Sequence, residues 1–146
     1  MKKLFLLFAL MINSLVFIGQ SINSELIIDP NSKISIGNDN SLKLDDNTYL
    51  VKYFDKLRYL SYENINDEVI KIKIKSYYDD TKELITDYNN IINNLLDESP
   101  LYWEISDEVC IIYSSCYEIL VTRNNLHTEI IFVDLVNEQH ELLNMK

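Results

Sequence analysis

The sequence predicts an α+β fold, a mostly antiparallel sheet of five or more strands with one main helix over residues 80–97 packed on one face. Three observations carry this expectation. Leu84, Ile85, Tyr88, Ile91, Ile92, Leu95 and Leu96 recur at intervals of three and four residues, which puts an apolar stripe on one side of a helix. Ile70, Ile72 and Ile74 alternate with Lys71, Lys73 and Lys75, the pattern of a strand buried on one face, and such strands belong to antiparallel or mixed two-layer sheets. Beyond the helix, short apolar runs rich in β-branched residues follow one another with turn residues between them.

The helix has start and stop signals. Asp80 is placed to cap the first turn, and Glu83, three residues on, is placed to close a capping box; Asp79, Asp80 and Glu83 also suit the positive end of the helix dipole. Pro100 ends it. Lys82, Thr86, Asp87, Asn89, Asn90, Asn93 and Asn94 fall on the outward side. Asparagine forms helices poorly, so the element has to depend on burying its stripe against a sheet.

Before the helix, a short apolar run over residues 25–29 ends at Asp29-Pro30-Asn31, a turn signal. Residues 33–36 and 41–44 alternate around Gly37-Asn38-Asp39-Asn40 as a hairpin would. The acids and amides there lack the spacing of a calcium loop, because the glycine precedes the cluster, and they suit turn chemistry. Residues 49–60 fit two templates. Leu50, Tyr53, Phe54, Leu57 and Leu60 make a helical face, whereas Tyr49, Val51 and Tyr53 alternate as in a strand; the helical pattern matches more positions, so a second helix is expected at 49–60.

After the helix, Leu101, Trp103 and Ile105 mark a short strand. Residues 109–116 read as a strand pair turning near Tyr113, which would set Cys110 opposite Cys116, or as a helix, on which the two would face apart. The β-branched content favours strands. A turn at Asn124-Asn125 would pair Ile119 with Ile130 and Tyr117 with Phe132. Leu142, Leu143 and Met145 suggest a last helical turn. The order of one helix followed by three strands resembles that of cystatin-type and NTF2-like domains, a likeness of architecture without a shared motif.

The first 24 residues have the succession of a secretory signal. Lys2 and Lys3 are its charged start, residues 4–12 its apolar stretch, and Gly19 and Ser21 its small residues, with cleavage expected after residue 21. Asn13 and Ser14 interrupt the apolar stretch before it reaches the roughly 20 residues that a spanning helix needs. Residues 25–146 are then expected to form one compact domain, secreted or periplasmic, without a stable membrane anchor. Removal of the two lysines leaves 11 basic against 23 acidic residues, a net of −12. That charge disfavours nucleic acid and anionic membrane, and it favours a basic protein partner or plain solubility. Two cysteines, Cys110 and Cys116, in an oxidising compartment predict one disulfide.

Catalytic motifs are scarce. With only Gly19 and Gly37, no glycine-rich phosphate loop and no nucleophile elbow can form. His127 and His140 have no metal-ligand spacing, and neither a metal nor a cofactor is expected. His127 and Glu129 would share one face of a strand, and His140 is followed by Glu141; either pair is a weak acid/base candidate, and an exposed histidine near a glutamate is ordinarily plain surface. The expected function is therefore that of a small exported acidic protein acting by binding another protein, of inhibitor, toxin-immunity or host-directed type. The alternatives are a small exported hydrolase using carboxylates or His127 with Glu129, and a structural envelope component.

Overall fold

The computed structural model describes residues 26, 28, 41–46, 48–65 and 68–135. The signal segment at 1–21, the first half of the 33–44 hairpin, His140 and the tail from residue 137 lie outside the described residues.

The described chain is one eight-stranded antiparallel sheet and one helix. The elements are β1 (Ser41–Lys43), β2 (Thr48–Tyr53), β3 (Lys56–Ile65), β4 (Glu68–Tyr77), α1 (Thr81–Asp97), β5 (Tyr102–Ile105), β6 (Val109–Tyr113), β7 (Tyr117–Asn124) and β8 (His127–Asp134). The sheet order is β1-β2-β3-β4-β8-β7-β6-β5. Two four-strand meanders therefore meet at β4 and β8, and α1 carries the chain from the centre of the sheet to its far edge. Leaving β4, the helix crosses over β8, β7 and β6 before β5 begins.

The helix forms as its pattern demands. Asp80 caps it, its carboxylate accepting from the Glu83 N–H at 2.8 Å. Glu83 does not complete the box, because its carboxylate is taken by Lys56 Nζ at 3.0 Å. At the other end Ser99 takes φ 57, the left-handed position that ends many helices, and donates its N–H to the Leu96 carbonyl. Leu84, Tyr88, Ile91, Ile92 and Leu95 are buried, whereas Ile85 is exposed and Leu96 half-buried.

The second expected helix, at 49–60, is absent: these residues are the β2–β3 hairpin. Its turn is Phe54-Asp55, at φ 48 and φ 59, both left-handed as a two-residue hairpin turn requires. Asp55 tolerates that angle but Phe54 does not advertise it, and no glycine or asparagine marks the turn, so the sequence signal for a hairpin is weak here. As strands, the segment sends Val51, Tyr53 and Leu60 into the core beside Ile72 and Ile74. Strands β6, β7 and β8 of the opposite meander add inward residues to that core, among them Cys110, Ile112, Ile119, Val121, Ile130 and Phe132. Leu26 joins the same core and donates its N–H to the Lys52 carbonyl.

Two hairpin registers differ from expectation. Cys110 pairs with Val121, so the β6–β7 turn is Ser115-Cys116 and is not centred at Tyr113. The four residues from Cys110 to Ser114 take Cys110 about 13 Å up the strand, twice the span a disulfide bridges. The expected disulfide is accordingly not formed, and both cysteines are free thiols, Cys110 buried and Cys116 half-buried. In the β7–β8 hairpin Asn124 pairs with His127, and the turn is Asn125-Leu126 with Asn125 at φ 50. Ile119 therefore faces Phe132 and Val121 faces Ile130, an equally apolar match.

Candidate functional site

The sheet is not covered evenly. The helix lies over β6, β7 and β8, and β5 runs out beyond it. Strand alternation turns Trp103 and Ile105 to the helix side, opposite the buried Ile112 and Cys110, and Tyr102 and Glu104 to the outer side. All four β5 residues are exposed: Trp103 is 49% accessible and Ile105 53%, and the preceding Leu101 reaches 76%. Large apolar side chains on the helix side of a sheet are ordinarily core. Here they are surface because nothing described lies over them.

The backbone of β5 is also open. Ser106 donates its N–H to the Val109 carbonyl at 2.8 Å, which in the Ile105–Cys110 register turns the N–H and C=O of Tyr102, Glu104 and Ser106 toward β6. Those of Trp103 and Ile105 therefore point outward from the sheet. Natural edge strands are usually kept short or guarded by lysine or proline. The opposite edge obeys this: β1 has three residues and ends in Lys43. β5, one residue longer, carries neither lysine nor proline, and its single charge, Glu104, is occupied by the Tyr102 hydroxyl at 2.5 Å.

Between α1 and the β5–β6 bend lies a groove of about 630 Å³, whose apolar wall is Ile85, Ile92 and Ile105. Tyr88 and Arg123 also line it, the guanidinium lying over the tyrosine ring at 5.4 Å and donating through Nε to the Asp107 carbonyl. Burial, then the nearby Cys110 thiol, pushes the Tyr88 hydroxyl up to about 12, and it is the one buried side-chain polar atom without a partner among the described residues. Leaving such a donor unpaired costs about 1–3 kcal/mol.

A second polar constellation is fully internal. Arg58, 0% exposed, donates to both carboxylate oxygens of Asp87 at 2.7 and 3.0 Å, to Ser76 Oγ at 2.7 Å and to the Tyr53 carbonyl at 2.7 Å. The Tyr78 hydroxyl, raised by burial and by Asp87, bonds both Asp87 and Thr128. Burial alone would raise the Asp87 carboxyl, but the hydrogen bonds from Arg58 and Tyr78 outweigh it and hold the group below the usual carboxylate range. Every member has its partners, and the cluster ties α1 to β3 and β4; Asp87 alone also borders a pocket of about 300 Å³, where Lys56 Nζ stands 3.9 Å from its carboxylate. Sequence reasoning missed it by placing Asp87 on the outward side. The stripe spacing Leu84, Asp87, Tyr88, Ile91 contained the signal.

The expected site residues fall elsewhere. His127 and Glu129 do share the outer face of β8, but the Glu129 carboxylate is engaged by Lys75 Nζ at 3.1 Å and Lys73 Nζ at 3.8 Å, and the His127 ring rests 6.1 Å from that of Tyr77. The lysine row belongs to β4, a central strand, and not to an edge; Lys71 is held by Glu63. Burial pushes the Cys110 thiol up to about 11, which makes it a poor nucleophile. Among the described residues no cluster of histidine, cysteine or acid is arranged to hold a metal, and no described helix is long and apolar enough to cross a membrane. Compared with protein-family models, with curated proteins and with solved structures, the chain matches none of them.

Proposed function

We propose that this is a small exported protein that acts by binding another protein, and that the contact is made along the β5 edge. One observation carries the reading: a strand with unpaired backbone groups presents Leu101, Tyr102, Trp103 and Ile105 to solvent at the uncovered end of the sheet. An extended segment added to such an edge gains main-chain hydrogen bonds, and its alternate side chains enter whatever pocket flanks the strand. The groove against α1 supplies that pocket. Tryptophan and tyrosine are also the residues that dominate interface energies.

The test is Ile105→Pro. Proline removes an N–H that points away from β6, so the β5–β6 ladder stays whole while the open edge loses a donor and gains a ring. Partners are captured from the native extracellular or periplasmic extract with the wild-type protein and with the variant. Specific capture that Ile105→Pro abolishes supports the reading. Capture that the variant leaves unchanged refutes the edge as the contact.

A further inference from the structure

The charge of the molecule is divided along the sheet. From residue 83 to residue 122 the chain has no lysine or arginine and eight acids. In the β1–β4 half several acids are matched: Glu63 pairs with Lys71, Asp55 with Lys52, Asp46 with Lys43, and Glu129 of β8 with Lys73 and Lys75. Around β5 they are not. Asp97 and Glu98 end the helix that leads into the strand, Glu104 lies within it and Asp107 and Glu108 follow it; all five are exposed, and among the described residues none forms an ion pair. Arg123, which lines the groove beside Ile105 and Asp107, is turned onto the Tyr88 ring and the Asp107 carbonyl.

From this we infer that the occupant of the β5 edge is an extended segment of a partner protein in which basic and apolar residues alternate. The inference rests on the proposal that β5 is the contact strand, and it adds the chemistry of what binds there. Side chains of an added strand alternate between the two faces. Those on the helix side lie beside Trp103 and Ile105 and over the groove wall of Ile85 and Ile92, a surface that takes apolar groups. Those on the outer side lie beside Glu104 and Tyr102, where an opposite charge is the stabilising cross-strand neighbour. The unpaired acids at both ends of β5 extend that preference along the segment and steer its approach. A second copy of this chain fits less well, since pairing β5 with β5 would bring ten uncompensated acids together.

Trp103 is the sole tryptophan of the chain and stands half-exposed on the strand in question, so its emission reports occupancy directly. The experiment titrates the full chain with three ten-residue peptides: alternating lysine and valine, alternating glutamate and valine, and a block isomer with five lysines followed by five valines. The alternating basic peptide is expected to shift Trp103 emission to the blue and to bind about tenfold more tightly than either of the others, as one cross-strand ion pair at Glu104 together with the attraction of the four acids beyond the ends of β5 would give. Glu104→Gln should weaken it about threefold, and so should added salt. Equal binding of the basic and acidic alternating peptides, with Ile105→Pro abolishing both, would overturn the charge inference and leave the edge reading standing. Equal binding of the block isomer would overturn the alternation. No response to the basic peptide at about 1 mM would overturn the inference, and the edge reading would fall with it only if Ile105→Pro also left partner capture intact. An emission that shifts with protein concentration alone would make a second copy the occupant and refute the proposal.

Discussion

Replacing Asp87 by asparagine tests how the helix is held to the sheet. The substitution keeps the volume of the side chain and removes the charge that answers Arg58, which is wholly buried and has Asp87 as its only carboxylate among the described residues. Breaking one partner out of a buried ion pair costs about 3–5 kcal/mol, because the remaining charge stays desolvated and unmatched. Against a total stability of about 5–15 kcal/mol that is a large share. With a urea slope of about 2 kcal/mol/M for a domain of this size, the midpoint should fall by about 2 M. Replacing the pair together, Arg58→Met with Asp87→Leu, should recover part of the loss, since the desolvated charge is gone, but Ser76, Tyr78 and the Tyr53 carbonyl each lose a partner. Protonation supplies an independent check. Folding lowers the Asp87 pKa, so the contribution of the pair is complete above the ordinary carboxylate value of about 3.9 and is lost as pH falls through the lower folded value. The gap between wild type and Asp87→Asn should therefore narrow in acid. A midpoint shift below about 0.5 M, or a gap that stays constant from pH 7 to pH 2, would refute the assignment of Asp87 as the charge that secures Arg58.

Three further outcomes follow from burial. Leu95→Ala and Ile92→Ala should each cost about 2–4 kcal/mol in denaturant titrations, whereas the exposed Asn90→Ala should be neutral or slightly stabilising, because alanine is the better helix former. Thiol counting should find two free thiols in unreduced, denatured protein; in the folded protein Cys116 should react readily and Cys110 at least about a hundredfold more slowly, being buried with its thiol pushed up to about 11. Tyr88→Phe removes a hydroxyl that has no partner and should leave the thermal midpoint unchanged or raise it, so a loss above about 1 kcal/mol would reveal a hydrogen bond the geometry does not contain.

By itself the sequence determined the elements whose signals are local. The stripe from Leu84 to Leu95 with its Asp80 cap, the Ile70-Ile72-Ile74 strand, the short strand at Trp103 and a hairpin built from the strands either side of Asn125 all stand where periodicity put them, because side-chain spacing alone sets which face of an element is apolar. Registers were legible only approximately: around Asn125 a two-residue change of partner still matches apolar to apolar, whereas Cys110 faces Val121, five residues beyond the Cys116 expected opposite it. The β2–β3 hairpin was not legible, because its turn is Phe54-Asp55 at left-handed angles, and a bulky residue such as Phe54 takes such an angle only when the flanking strands impose it. Tertiary structure alone decided the rest. Arg58 and Asp87 lie 29 residues apart and become partners only when α1 crosses the sheet. Trp103 and Ile105 have the pattern of core residues, and whether they are core or surface depends on how far the helix reaches. It stops at β6, and the same apolar alternation that elsewhere builds the interior becomes, on β5, an open edge.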